Sequence, residues 1–364
     1  MNRLKMHKRL WRARWQRLVR WEFWPVWMVY PPVICSVIWH GLRLRGLTLW
    51  ANCNPAMEAS GIALEEKGGI LDSFGGKDGR VRIARYLRIE AGANDAFDRV
   101  LSFIKKGKLE YPVVLKPDFG QRGQGVEIVH DEDSVRRWIS QCEEGFLVQE
   151  FIGGLEFGVQ WACFPGKKTG RITSLCGKHA QSVKGDGRST LRQLIEEDDR
   201  AVLSHSYYFK KYAKELETVL AVDEEFKLAP LGTHSRGAVF TDERSLATDE
   251  LREAFDELGA RYPGFNLGRY DVKVPSVEDL QEGRNIVVLE LNGVMGEPAH
   301  VYQPGYPWRR GIADLCRHFR LAAEIGEAWR ARGVAPPEAG DLVDLIRKHR
   351  EKDYLEVDEF RRNG

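Results

Sequence analysis

Apolar positions recur along this chain in two periods. VRIARYLRIEAG (81–92) alternates apolar and polar residues and predicts a strand. DAFDRVLSFIKKG (95–107) repeats at helical spacing and stops at a glycine. YPVVLKP opens a second strand, and VEIVH (126–130) returns it across a glycine-rich turn. DEDSVRRWISQC (131–142) predicts a helix with acidic residues in its first turn, where the helix dipole favours them. FLVQEFI (146–152), EFGVQWACF (156–164) and GRITSLCGKH (170–179) predict three strands, the first two joined through Gly153 and Gly154. KGDGRSTLRQLIEEDDRAVL (184–203) reads as a tight turn, a Ser-Thr cap and a helix. TDELREAFDELGAR (248–261) predicts a further capped helix. Strands RYDVKV (269–274) and NIVVLELNG (285–293) follow, then a long helix over 309–333. Residues 334–364 begin with the break GVAPPEAG and end in a highly charged helix. The pattern is α+β with antiparallel hairpins, and contains neither repeats nor a low-complexity tract.

One stretch has no such alternation. WEFWPVWMVYPPVICSVIW (21–39) has Glu22 as its sole acidic or basic residue and contains four tryptophans. Its apolar length permits a short membrane span, but Pro25, Pro31 and Pro32 work against a straight helix. A basic stretch before an apolar one is also the order of a secretory signal. Here the basic stretch is long, the apolar part is broken by proline, and no A-x-A site follows. Two readings fit better. One is peripheral contact with an anionic membrane, which implies a cytoplasmic protein held at the inner face of the membrane. The other is a helix whose tryptophans pack on the protein's own body or in a homodimer interface.

Composition adds bounds. The 364 residues are 43% hydrophobic and 30% charged, as in a globular chain of two or three domains. The net charge of +2 is uneven: residues 1–20 hold eight Lys or Arg and no acid, leaving 47 basic against 53 acidic residues, about −6, elsewhere. An acidic body argues against broad nucleic-acid binding. Six cysteines form no CxxC or metal-ligand spacing and sit mostly in apolar runs, which points to a reducing compartment with buried thiols.

Four stretches carry candidate chemistry. In LKPDFGQRGQGV (115–126), Lys116 stands beside Gly120, Gly123 and Gly125. That is either an ordinary hairpin loop with a solvated lysine, or a turn whose backbone N–H groups approach a phosphate. In VQEFIGGLEFGVQW, Gln149 and Glu150 close one strand and Glu156 opens the next. A strand end offers N–H and C=O groups to an adenine edge, and a carboxylate can take two ribose hydroxyls. In RYDVKV, Arg269 and Asp271 share one strand face, as do Glu290 and Asn292 in LELNG. Their oxygens are hard ligands suited to Mg²⁺, with Mn²⁺ as an alternative, held jointly with nucleotide phosphates. Arg269 could neutralise charge developing in phosphoryl transfer. Taken singly, Arg269 and Asp271 could equally be a surface ion pair, and Glu290 and Asn292 a polar strand end capping a turn. No Ser-His-Asp or Cys-His cue suggests a protein nucleophile.

Together these stretches resemble the ATP-grasp superfamily, in particular its D-alanine-D-alanine ligase-like carboxylate-amine ligases, from about residue 60 to about residue 305. The resemblance implies two α/β subdomains clasping ATP. A Trp-rich helical leader (1–46) and a small α/β pre-ATP-grasp region (47–108) precede the ATP-grasp domain (109–333), and a charged tail (334–364) follows it. It implies that Lys116 and the loop of Gly120, Gly123 and Gly125 cover the phosphates; Arg122, by its place between those glycines, could then reach the γ-phosphate or the acyl acceptor. Gln149, standing where the family usually has Glu, together with Glu150 and Ile152 would form the adenine segment, and Glu156 would bind ribose. Lys67 and Lys178 would be further phosphate lysines, Arg269 the catalytic arginine, and Asp271, Glu290 and Asn292 the metal set. VKGDGRSTLRQLI and THSRGAVF (233–240) resemble segments of peptide-forming members such as cyanophycin synthetase, which turns His234 and Arg236 toward the acceptor substrate.

Two departures stand out. The histidine-glycine and serine-glutamate signature that holds the first substrate of D-alanine-D-alanine ligases is missing from this sequence. Their threonine-containing proline-glycine loop is replaced by NGVMGEPAHVYQPG, so Glu297 and His300 would line a different pocket. The expected activity is ATP- and Mg²⁺-dependent joining of a small-molecule carboxylate to an amine through an acyl phosphate. An ATP-grasp kinase and a non-catalytic ATP-binding protein are the alternatives, and a homodimer is common in the resembled family.

Overall fold

The alternation at 81–92 breaks at Ala84, and that break organises the molecule. In the computed structural model, which describes residues 11–13, 15–62, 67–75, 79–119, 125–228 and 237–348, the stretch forms two strands, not one. β1 (Val81–Ile83) runs parallel to β12 (Ile286–Asn292) at the edge of a six-stranded sheet. β2 (Tyr86–Ile89) pairs with β5 (Phe146–Glu150) at the edge of a four-stranded sheet. At the step, the Ala84 N–H donates to the Val288 carbonyl and the Arg85 carbonyl accepts from the Glu150 N–H, both at 2.9 Å. A single straight strand could not reach partners in both sheets.

The small sheet has the order β2, β5, β3 (Val113–Pro117), β4 (Glu127–Val129) and is antiparallel throughout. Helices Ala96–Lys106 and Glu132–Ile139 bury Val100, Ile104, Val135 and Trp138 against its Val113, Leu115 and Val148. Asp131 caps the second helix by accepting from the Ser134 N–H at 2.7 Å. The large sheet has the order β1, β12, β11 (Leu267–Val274), β6 (Leu155–Ala162), β7 (Arg171–His179), β10 (Val239–Asp242). One face is apolar: Val159, Tyr270, Val272 and Val288 pack on Leu251, Phe255 and Leu258 of helix Asp249–Gly259. Strand period two sends the intervening residues, Glu156, Gly158, Gln160, Arg269, Asp271, Glu290 and Asn292, to the other face.

The chain crosses between sheets at residues 151–154. Gly154 has φ of 98°, and a Cβ there would lie 2.4 Å from the Val274 carbonyl oxygen. Only glycine permits both that conformation and that approach.

The segment between β7 and β10 builds its own small core. The hairpin β8 (Ser182–Lys184) with β9 (Glu225–Lys227) packs with Leu191, Ile195 and Tyr208. The GDG turn has a local cause: Asp186 accepts from the Arg188 and Ser189 backbone, and a Thr190–Gln193 capping box then starts helix Leu191–Glu197. That helix is shorter than the sequence suggests, because Asp198 accepts from the Arg200 and Ala201 N–H groups and opens a separate 3₁₀ turn, Ala201–Ser204.

The leader also departs from expectation. Val26–Arg43 is one helix despite Pro31 and Pro32 inside it. Its Val29 and Val33, with Trp21, join Leu315, Phe319 and Ile325 of helix Trp308–Arg330 in a core. Burying each such side chain stabilises by roughly 1.5–3 kcal/mol, comparable to the ~3 kcal/mol penalty of an interior proline. Part of the leader therefore belongs to the protein's own body. The six cysteines are free; Cys53, Cys163 and Cys176 are buried, whereas Cys35 is exposed.

Candidate active site

Antiparallel pairing of β11 with β12 sets Arg269 opposite Asn292 and Asp271 opposite Glu290. Two carboxylates directly across a ladder repel one another, and the structure compensates one of them. Lys178 Nζ lies 2.8 Å from Asp271 Oδ2, and Arg269 Nε lies 3.0 Å from Oδ1. Burial pushes the Asp271 carboxyl up, but Arg269 and Lys178 outweigh it and hold it below the usual carboxylate range. Burial likewise opposes the Lys178 ammonium, while Asp271 and then Glu156 keep it above its ordinary value. Glu156 sits 3.6 Å from Lys178 and 3.2 Å from Lys273. The result is an alternating row, Lys273, Glu156, Lys178, Asp271, Arg269, on one sheet face. Gly158 leaves room for it: a Cβ there would come 3.1 Å from Arg269 Cδ. Glu290 differs, because among the described residues its carboxylate has neither a hydrogen bond nor an ion pair.

A register shift next to Asp271 pairs Val272 with Val288, so Leu289 bulges out of the ladder. The freed Leu289 carbonyl accepts from Lys116 Nζ and Gln149 Nε2, each at 3.2 Å, and Lys116 also donates to Gln149 Oε1 at 3.0 Å. The bulge thereby ties the small sheet to the large one beside Glu290. Lys67 joins this corner: its Nζ lies 3.4 Å from the carbonyls of Pro117 and Asp118. Asp118, fully buried, accepts from the Gly68 N–H at 2.8 Å and pairs with Arg88 at 2.6 Å.

This setting also shifts Lys116. Burial, against the pull of Glu290, lowers its ammonium to about 8 from 10.5. Between those two values the folded chain binds fewer protons than the unfolded one, so this lysine makes stability rise with pH over that window. An anion bound beside it would restore the charge. ATP binding near pH 8.5 is therefore expected to take up a proton, and Lys116→Met to lose that uptake. Calorimetry in buffers of different ionisation enthalpy reads this directly; uptake unchanged in the variant would count against the assignment.

Other expected residues fall elsewhere. The Glu150 carboxylate points away from Gln149, as neighbours on a strand must, and is held by Arg82 and by Arg85 Nε at 2.9 Å. Glu150 thus offers no side chain to the corner at Lys116. Ile152 lies in the crossing segment, partly buried. Glu297 is buried: its carboxylate accepts from Tyr30 Oη, and from Tyr302 Oη at 2.7 Å, while its backbone carbonyl accepts from Arg269 Nη1 at 3.1 Å. His300 is also a strut, 1% exposed, with Nδ1 at 2.7 Å from Ser174 Oγ and Nε2 at 3.3 Å from Asp314. This Ser-His-Asp row was not visible in sequence, and its burial leaves the serine no access to a substrate. Gly125 is described, its carbonyl accepting from Trp138 Nε1 at 2.9 Å. Gly120, Arg122, Gly123, His234 and Arg236 lie outside the described residues.

Lys273 and Asp118 were missed, although Lys273 continues the Arg269, Asp271 alternation and was readable from it. Tyr30 had no signal, since its partner lies 267 residues away.

The donor set fits a hard divalent cation. Glu290 faces Asp271 without an ion pair or hydrogen bond among the described residues, and buried Asn292 Nδ2 has no hydrogen-bond partner among them. Rotating that amide by half a turn presents Oδ1, an acceptor, in its place. Two carboxylates and one amide make up the set; no group of three or more His, Cys, Asp or Glu placed to hold a metal ion occurs among the described residues.

Residues 91–157 match the family model of the RimK-like ATP-grasp domain. No curated protein matches the chain at significant similarity. Among solved structures, D-alanine–D-alanine ligase from Bacillus anthracis is 14% identical over 76% of this chain and 72% of that one, with a TM-score of 0.42. VanG D-Ala:D-Ser ligase from Enterococcus faecalis is 11% identical over 70% of this chain and 61% of that one, with a TM-score of 0.38. A bifunctional glutathione synthetase from Pasteurella multocida is 12% identical over 68% of this chain, with a TM-score of 0.33, and the chain spans only 35% of its length. None of these likenesses says what this chain acts on.

Proposed function

Starting from an ATP-grasp fold with a RimK-like match over residues 91–157, we propose that this protein joins a small-molecule carboxylate to an amine at the expense of ATP. The observation that carries the reading is the convergence at the Leu289 bulge. Lys116 and Gln149 of one sheet hydrogen-bond to the Leu289 carbonyl of the other, beside Glu290, which stands opposite Asp271 in the ladder that also carries Arg269 and Asn292. Cations for phosphate and hard oxygens for a divalent ion then stand together where the two sheets meet.

In this reading Lys116, Lys67 and the glycine-rich loop ending at Gly125 hold the phosphates of ATP. Glu156 takes the ribose hydroxyls once Lys178 and Lys273 turn to anionic groups. A substrate carboxylate oxygen attacks the γ-phosphorus, the bond to ADP breaks, and an acyl phosphate forms. The amine nitrogen then attacks the acyl carbon, loses its proton, and phosphate leaves with the electron pair. Arg269, fixed by Asp271 and by the Glu297 carbonyl, neutralises charge on the transferring phosphoryl group. Mg²⁺ or Mn²⁺, held by Asp271, Glu290 and Asn292, would supply further neutralisation of phosphate charge when bound. The acyl phosphate hydrolyses readily, so the loop's second task is to exclude water.

The test is a panel of carboxylates and amines scored by ADP release and product mass. Amine-dependent ADP release with an amide product is expected. A phosphorylated product formed without amine would make the protein a kinase, and ATP binding with no ADP across the panel would make it a binding protein; both overturn the proposal.

A further inference from the structure

The helix Val26–Arg43 buries one side against helix Trp308–Arg330 and leaves the other bare. At 3.6 residues per turn, Trp27, Ile34, Ile38, Leu42 and Trp39 line the outer half, with Trp27 74% and Trp39 65% exposed. From Val26 to Leu42 there is no Asp, Glu, Lys or Arg on either side. A helix apolar all round belongs in a core or against lipid. Yet no helix among the described residues is long and apolar enough to cross a membrane. Just before it, Trp11 and Trp15 stack at 6.1 Å and are also exposed.

Charge selects the occupant. Residues 1–57 contain ten Lys or Arg and one acid, Glu22, and that acid is buried beside Arg200 at 3.6 Å. The remaining 307 residues hold 45 basic (55 − 10) and 52 acidic (53 − 1) residues. Exposed Arg17 precedes the apolar face, and Arg43 and Arg45 follow it. We propose that this face lies in the interface of an anionic membrane, its tryptophans at headgroup depth and its arginines on the lipid phosphates, with the acidic body turned away. A second copy of this chain fits less well. Pairing through the same face would bring two leaders together, each carrying nine net positive charges (10 − 1). The docked helix is fixed to the large sheet through Tyr30, Glu297 and Arg269, so docking sets the orientation of that sheet to the membrane.

The experiment is co-sedimentation of the full chain with vesicles of phosphatidylglycerol and phosphatidylcholine, and with phosphatidylcholine alone. Binding to the anionic vesicles is expected, weaker by about tenfold or more on the neutral ones and in high salt, with a blue shift of tryptophan emission. Ile38→Glu and Leu42→Glu, both at exposed sites, should each reduce partition by about tenfold while thermal melting stays unchanged. Folded wild-type protein that ignores anionic vesicles, or binds both compositions equally, overturns the proposal. So does a lipid-free dimer that Ile38→Glu dissociates, since the face would then belong to a second copy.

Discussion

Replacing Glu290 with Gln is expected to lower Mg²⁺-dependent ATP turnover by at least about a hundredfold while leaving the stability of the fold little changed. The two outcomes separate because Glu290 holds no close partner among the described residues, and its attraction to the Lys116 and Arg269 cations acts only at longer range. It faces Asp271 across the ladder and, among the described residues, makes neither an ion pair nor a hydrogen bond. Removing its charge relieves a like-charge pair in the empty protein and withdraws a ligand from the loaded one. Asp271→Asn should lose turnover similarly but melt earlier, because Lys178 and Arg269 would keep buried charges with one partner fewer. Breaking such a pair typically costs about 3 kcal/mol or more. Turnover assays with thermal melts in the absence of nucleotide check both. Wild-type turnover in Glu290→Gln would remove the residue from the site.

Gly326→Ala is expected to destabilise the protein by about 3 kcal/mol, a large effect for one methyl group. Gly326 lies in helix Trp308–Arg330 where residues Leu49–Asn52 cross it, and a Cβ would sit 1.8 Å from the Leu49 carbonyl oxygen. The obstacle is backbone, which cannot rotate aside as a side chain would. Asn52 Nδ2 closes the contact by donating to the Gly326 carbonyl at 3.3 Å. The helix would have to move as a body, carrying Leu315, Phe319 and Ile325 out of the core shared with the leader. Denaturant titration reads this, and an unchanged midpoint would show that the contact is softer than drawn.

The helices Ala96–Lys106, Asp249–Gly259 and Trp308–Arg330 and the strands β3 to β7, β11 and β12 were legible in sequence because their signals are local: apolar period, side-chain caps and a terminating glycine. The ATP-grasp resemblance came from motifs in order along the chain, and the match over residues 91–157 agrees with it. Failures came where two distant segments compete for one. Nothing within 81–92 says that its halves pair with strands of different sheets, since β12 begins more than 200 residues later.

The candidate site divides along the same line. Sequence alone determined which residues share a face: Arg269 with Asp271, and Glu290 with Asn292, because side chains on a strand alternate with a period of two. It also determined that Gln149 and Glu150 point opposite ways, though not which one meets Lys116. Tertiary structure alone decided that Asp271 stands opposite Glu290, that Leu289 bulges to receive Lys116, and that Glu297 and His300 are buried struts. It likewise decided which half of the leader joins the core and which stays bare. Periodicity is a property of neighbouring residues, fixed by backbone geometry. Register, bulge and burial depend on contacts between segments far apart in the chain, and a shift of a single residue would have reversed every face.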